Sequence, residues 1–268
     1  MRILLLGGTG FIGEYLAKKL SSGRNCKITI AHNESASKRN SDRVCYVKTD
    51  LTKPSKKLDN LINSVDVVVI LTQPNSKIIE NLISAIKPES ILKKIVYLSS
   101  VLIYDNSSKK QNEKFPVKPT TDYERGKYKE ELMLSKFIQE KNLKLCIARL
   151  ANVYGDIKNR GLVNYIFLSL LNNGKMTVNG KGDSIRDYIF VEDVVNWLEF
   201  LIFWRQKNKK EVINVCTGKG HSVKEVLKIA EKIINKKSKT IKGIPIEEKK
   251  MIIGDNKKIV NISKIKFR

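Results

Sequence analysis

The chain opens on an uninterrupted apolar run, Ile3-Leu4-Leu5-Leu6, which breaks at Gly7-Gly8-Thr9-Gly10-Phe11-Ile12-Gly13 and resumes with Phe11, Ile12, Tyr15, Leu16 and Leu20 at helical spacing. An apolar run without alternation reads as a strand covered on both faces. The period that follows reads as a helix packed back against it. The same succession recurs: strands are predicted at Lys27 to Ala31, Val44 to Val47, Val65 to Leu71, Ile95 to Ser99 and Leu145 to Arg149, and helices begin near Phe11, Lys53, Asn75 and Thr121. Asn75 behind Pro74, and Asp122 ahead of Tyr123, carry side chains suited to helix N-caps. Strands alternating with helices predict an α/β fold, a doubly wound parallel sheet.

After Arg149 the alternation fades. Gly155, Gly161, Gly174, Gly180 and Gly182 punctuate short elements, with helices predicted at Gly161 to Asn172, Glu192 to Trp204 and Val223 to Ile234. The pattern divides the chain into a Rossmann-type dinucleotide-binding domain over 1–155, onto which 187–217 packs back, and a small α+β substrate lobe from 156–186 and 218–268. Such a lobe would lie over the carboxyl ends of the strands, where open α/β sheets bind ligands. The basic tail from Lys236 to Arg268 has no readable period.

Composition narrows this picture. At 268 residues and 41% hydrophobic, the chain can bury a large core. The formal net charge of +24 comes mostly from lysines dispersed along the chain, which argues against nucleic acid as the main partner and leaves a general attraction for a phosphate-bearing substrate. Cys26, Cys45, Cys146 and Cys216 are scattered without a CxxC, and His32 and His221 are the only histidines, so neither a disulfide framework nor a metal site is expected. Cys146 and Cys216 sit in apolar runs and read as buried small hydrophobes. Met1-Arg2 leads straight into the first strand, and the longest apolar runs fall short of the ~20 residues of a membrane span. The chain reads as a cytoplasmic protein that does not enter membranes.

Three places carry chemistry. The glycines permit a tight turn, let backbone amides approach a pyrophosphate and keep the helix close to the sheet, which makes Gly7, Gly10, Phe11, Ile12 and Gly13 candidate cofactor contacts. Tyr123 and Lys127 stand at i and i+4 on one helix face, where a cation would favour the phenolate and fit the tyrosine for acid/base work. Ser99-Ser100 closes the fifth strand, beside the place such a sheet holds its cofactor. The long polar loop from Asp105 to Pro119 reads as an active-site rim.

Taken together these motifs resemble the extended short-chain dehydrogenase/reductases, the nucleotide-sugar epimerase, dehydratase and ketoreductase group. The resemblance rests on Gly7-x-x-Gly10-x-x-Gly13, Asp50-Leu51, Ser99 to Tyr104, Pro119-x-x-x-Tyr123-x-x-x-Lys127, Arg149 to Gly155, Arg186 to Val194 and Asn214 to Gly218, and so spans nearly the whole chain. It implies that Tyr123 is the catalytic acid/base, Lys127 its pKa-lowering partner and ribose ligand, and Ser100 the hydroxyl that holds the substrate oxygen. It further implies that Asp50, with Leu51 beside it, meets the adenine, and that Asn152 and Arg186 hold the diphosphate of a nucleotide sugar. A homodimer through the Tyr-Lys helix and the one before it is implied as well.

The departures from the family pattern refine the expectation. Val101-Leu102 replaces the acidic pair of the dehydratases, which argues against dehydration. Strand two ends in Ala31-His32-Asn33, followed by Lys38 and Arg39, where NAD-binding members place an acid, so NADP(H) is favoured over NAD. Thr72 stands in an altered strand-four ending and Leu150 replaces a proline near the nicotinamide. Gly254-Asp255 resembles a nucleotide-contacting motif, with Ile252 in place of an arginine and Lys249 or Lys250 as substitute cations. The expected activity is reduction of a nucleotide-linked 4-keto-deoxyhexose. The alternative is a nucleotide-sugar 4-epimerase retaining NAD, and a third reading, of another class, is a non-catalytic dinucleotide sensor or RNA-binding relative.

Overall fold

The computed structural model describes the whole chain apart from residues 24, 34–39, 157–158, 160, 173–174, 179, 245–247 and 264–268, together with the backbone alone of residue 242. The first half alternates as the pattern requires: β1 (Arg2–Leu6), α1 (Phe11–Gly23), β2 (Lys27–His32), β3 (Val44–Lys48), α2 (Lys56–Asn63), β4 (Val67–Ile70), α3 (Ser76–Ala85), β5 (Lys94–Ser100), α4 (Asp122–Phe137) and β6 (Lys144–Leu150). Then come β7 (Asn152–Tyr154), α5 (Leu162–Leu171), β8 (Lys175–Val178), β9 (Ile185–Phe190), α6 (Val191–Phe203) and β10 (Lys210–Val215). The chain closes with β11 (Gly220–Ser222), α7 (Val223–Ile234), β12 (Lys239–Lys242), β13 (Met251–Ile252) and α8 (Lys257–Ser263).

Seven strands form one parallel sheet in the order β3-β2-β1-β4-β5-β6-β10. Successive residues of each inner strand serve opposite faces. Ile3, Leu5, Val67 and Val69 join a cluster with Leu16 and Leu20 of α1 and Trp197, Leu198 and Leu201 of α6. Leu4, Leu6, Val68 and Ile70 join another with Leu58 of α2, Ile79 and Leu82 of α3 and Leu134 of α4. Burial on both faces is the physical reason the strand runs show no alternation.

The structure corrects the sequence reading in detail. Helix α2 starts at Lys56 and not at Lys53, because the Ser55 side chain accepts from Leu58 N and caps it after Pro54. Thr121 and not Asp122 caps α4, with its hydroxyl accepting from Glu124 N. Asn75 caps α3 as expected, accepting from Lys77 N. Strand β4 is shorter than the apolar run Val65 to Leu71.

The strands β7 to β13 and helix α8 escaped the pattern. Strand β9 is the spine of a second sheet, pairing antiparallel with β11 and parallel with β7 and β13. Strands β8 and β12 form a separate parallel pair. Only a small apolar cluster, Ile166, Leu170, Met176 and Ala230, lies beneath α5 and α7.

Candidate functional site

Each glycine of the first turn answers a different constraint. Gly7 adopts φ +81°, a left-handed conformation that L side chains rarely take. A Cβ on Gly13 would lie 2.6 Å from the Gly8 backbone, and one on Gly8 would lie 2.9 Å from Leu5 and Ile30, so these two glycines let α1 close onto β1 and β2. Gly8, absent from the candidate list, is thus as constrained as its neighbours. Gly10 differs: it is exposed, and its Cβ would meet only the Gly7 carbonyl oxygen at an ordinary 3.4 Å. The protein's own packing does not require that position to be bare. A ligand approaching the loop would require it, and the first-turn amides of α1 suit a pyrophosphate there.

The ends of β4 and β5 bring the remaining groups together. Ser100, the last residue of β5, caps a single 3-10 turn over Val101–Ile103 by accepting from Leu102 N at 3.2 Å, and its hydroxyl is close enough to the Tyr123 phenol to act on its acidity. Although 39% of Tyr123 is accessible, its phenol is desolvated, and burial holds its pKa above the ordinary value. The neighbouring Ser100 hydroxyl pulls the other way, while Glu130 and Glu124 add to the rise. Lys127 is 4% exposed and donates to the carbonyl oxygens of Thr72 at 2.9 Å and Leu98 at 2.8 Å. Its Nζ lies 5.0 Å from the centre of the Tyr97 ring, whose hydroxyl donates to Glu130 at 2.6 Å. Burial lowers the Lys127 pKa to about 8, against the opposing pull of Glu130 and Glu131. The phenol–ammonium coupling expected from the i,i+4 spacing is therefore not the leading influence on either group: the ammonium faces carbonyls, and the phenol is governed by burial.

Around this centre, Leu150 ends β6 opposite Ser100 and is buried. Asp50 accepts from Thr52 N at 2.9 Å and Thr52 Oγ1 at 2.7 Å, contacts that lower its pKa, and buried Leu51 accepts from Asn81 through its carbonyl. His32 ends β2, nearly buried, with its ring edge-on to Tyr46 at 6.3 Å, and exposed Asn33 follows. Lys38 and Arg39 lie outside the described residues.

A cavity of about 560 Å³ is lined by Asn152, Tyr165, Ser184, Arg186, Tyr188 and Glu248 among others, and Ser100, Tyr123 and Lys127 are not among its lining residues. Asn152 and Arg186, both expected there, are brought together by the pairing of β7 with β9, and Asn152 Nδ2 donates to the Asp187 carbonyl oxygen at 3.0 Å. Asp187, between Arg186 and Tyr188, points the other way. It accepts from Thr217 N, Thr217 Oγ1 and Gly218 N and ties β9 to the loop after β10, while burial raises its pKa to about 6. Asp255 is not among the cavity's lining residues: its carboxylate accepts from Lys257 N at the start of α8. Lys249 is no substitute cation either, because its Nζ is fastened to the Leu102 carbonyl oxygen and to Glu124 at 2.7 Å, with both side chains 8% exposed. Sequence reasoning passed over Glu124, Glu248 and Asp187. No period marks Glu248, and the carboxylates of α4 look in sequence like an ordinary solvated face.

With the geometry in place, the chain can be set beside known proteins. The model of the NAD dependent epimerase/dehydratase family matches residues 3–216. The chain belongs to that family. It is a family of enzymes. A putative UDP-glucose 4-epimerase of Methanocaldococcus jannaschii is 26% identical, over 91% of this chain and 86% of that protein. A GDP-6-deoxy-D-talose 4-dehydrogenase of Aggregatibacter actinomycetemcomitans is also 26% identical, over 98% of this chain and 91% of that protein. A dTDP-D-glucose 4,6-dehydratase of Dictyostelium discoideum is 28% identical, and there the chain spans 62% of the relative's length. Among solved structures, Thermus thermophilus UDP-glucose 4-epimerase in complex with NAD superposes with a TM-score of 0.84 at 23% identity, covering 97% of this chain and 92% of that one. At that identity the likeness concerns the fold. No helix of the described residues is long and apolar enough to cross a membrane.

Proposed function

We propose that this member of the family is a dinucleotide-dependent oxidoreductase that reduces the 4-keto group of a nucleotide-linked deoxyhexose, with NADP(H) preferred over NAD. The observation that carries the reading is Ser100 at the end of β5, beside the desolvated Tyr123 phenol and capping the turn that begins with Val101 and Leu102, where an elimination would need acids. The likeness to the talose 4-dehydrogenase, which extends along 98% of this chain, supports redox chemistry at carbon 4.

The glycine turn fits a dinucleotide because Gly10 is bare without any packing reason. Gly7, Gly10, Phe11, Ile12 and Gly13 would hold its pyrophosphate, Asp50 and Leu51 its adenine end, Lys127 its ribose, and Thr72 and Leu150 would flank the nicotinamide. When bound, that group supplies the hydride. Ser100 holds the carbonyl oxygen of the substrate. Tyr123, whose raised pKa keeps the proton on the phenol at neutral pH, gives that proton to the oxygen. The Lys127 ammonium, fixed between two carbonyls, stabilises the phenolate that remains. The absence of an acid at His32-Asn33 supports the 2′-phosphorylated cofactor.

Supplying a 4-keto sugar nucleotide with NADPH tests this: one NADPH should be consumed per sugar reduced. A sugar nucleotide epimerised without net loss of NADPH would instead establish the second reading, a 4-epimerase, which the likeness to the Methanocaldococcus protein supports. A homodimer through α3 and α4 belongs to the same proposal, with Leu132 of α4 left 53% exposed, and light scattering measures it.

A further inference from the structure

Glu248 and Lys249 are neighbours in the chain with opposite assignments. Glu248 Oε2 lies 3.1 Å from Arg186 Nη2 in the cavity, whereas Lys249 is anchored to the Leu102 carbonyl and to Glu124, the residue after Tyr123. Among the described lining residues Arg186 and Glu248 are the only charged ones, so the cavity as it stands is close to neutral. Arg186 is partly buried, with its side chain 15% exposed, and its Nη1 donates to the Ile185 carbonyl oxygen. An arginine held this way offers the face now taken by Glu248. A diphosphate could use that face only after the carboxylate has left, since two anions would otherwise share one cation.

We propose that Glu248 is an internal stand-in for the substrate's diphosphate: it pairs with Arg186 in the cavity and is exchanged for the anionic ligand, while Lys249 keeps the segment anchored at the base of α4. The inference rests on the reading of the cavity as a nucleotide-sugar site. It makes Glu248 a residue that sets affinity by competing with the substrate, the reverse of a ligand. It also makes binding selective. A neutral sugar gains too little to break the Arg186–Glu248 pair, whereas a diphosphate replaces a monovalent partner with a stronger one.

The test is binding of UDP, dTDP and GDP, measured by calorimetry on the full chain and on Glu248→Gln, Glu248→Ala and Arg186→Met. Whichever probe the wild type binds should bind roughly three- to tenfold more tightly to both Glu248 variants, with a steeper loss on adding salt because the cavity has become net positive. Arg186→Met should lose the probe. Two Glu248 variants guard against one failing to fold, and melting temperature identifies which of them is native. Unchanged or weaker binding by a native Glu248 variant would overturn the stand-in and leave the nucleotide-sugar reading intact. Failure of the wild type and all three variants to bind any of the probes would overturn both.

Discussion

The two halves of the site are built on different physical terms. On the side proposed for the cofactor, the geometry is set by contacts that cannot be exchanged: the Gly8 and Gly13 backbones pack too closely for a methyl group between them, and Lys127 is fixed by two strand-end carbonyls. On the side proposed for the substrate, the cavity's charges are held by one another, Arg186 by Glu248, and its walls come from short strands with a small core beneath them. A rigid half suits a group common to many reactions. An exchangeable half suits a ligand that must be chosen and then released.

The largest expected effect tests the centre where the halves meet. Tyr123→Phe should lower turnover by roughly 10²- to 10⁴-fold with cofactor affinity retained, as measured by steady-state kinetics and a fluorescence titration. Retained turnover would remove the phenol from the chemistry. Gly13→Ala tests the rigid half: with a Cβ at 2.6 Å from backbone that cannot yield, it should destabilise the protein by about 3 kcal/mol and abolish cofactor binding. An unaltered melting temperature would show that the turn can relax.

A third experiment probes the substrate side through pH. Asp187 titrates at about 6 when folded against 3.8 when unfolded, so the folded chain holds this proton more tightly. Its stabilising contribution is full below the unfolded value and is lost as pH rises through about 6. The stability of wild type relative to Asp187→Asn should therefore increase as pH is lowered from about 6 towards 4, by up to about 3 kcal/mol in denaturant titrations. A difference independent of pH would mean that the carboxyl stays ionised throughout. The smallest effect returns to the cofactor side. With Lys127 as ribose ligand, cofactor affinity should be flat below pH 8 and fall several-fold as the pH rises through about 8, where the ammonium gives up its proton. In Lys127→Arg, which stays charged, that limb should vanish.

The same contrast explains what could be read in the sequence. Six of the seven strands of the central sheet, all but the edge strand β10, are legible because strands buried on both faces are continuously apolar and a tight turn onto a helix leaves glycine as the residue that fits. Gly7 to Gly13 reads this way, whereas Ser100, Tyr123 and Lys127 are read from a strand end, an i,i+4 spacing and the family resemblance. The strands β7, β9, β11 and β13 are two to six residues long, so their runs are too brief for a period to show. Their positions depend on partners far away in sequence, such as Asp187 with Thr217 and Lys249 with Glu124. For the same reason Asp255 was read as a nucleotide contact from a motif, while its carboxylate serves the first turn of α8.

Helix α4 carries one further consequence. Its inward positions are all spoken for: Glu124 by Thr120 and Lys249, Lys127 by Thr72 and Leu98, Glu130 by Tyr97, and Glu131 by Arg149 through two hydrogen bonds. The arrangement behaves like the wards of a lock. A slip of one residue or a quarter-turn about the axis would strand four ionised groups in the interior at once, each at a cost of several kcal/mol. The opposite side, Arg125, Lys129, Leu132 and Lys136, is exposed and takes no part in that fit. It can be rewritten for a new neighbour without disturbing the tyrosine it carries, which is how a reaction can be kept while the company its enzyme keeps is changed.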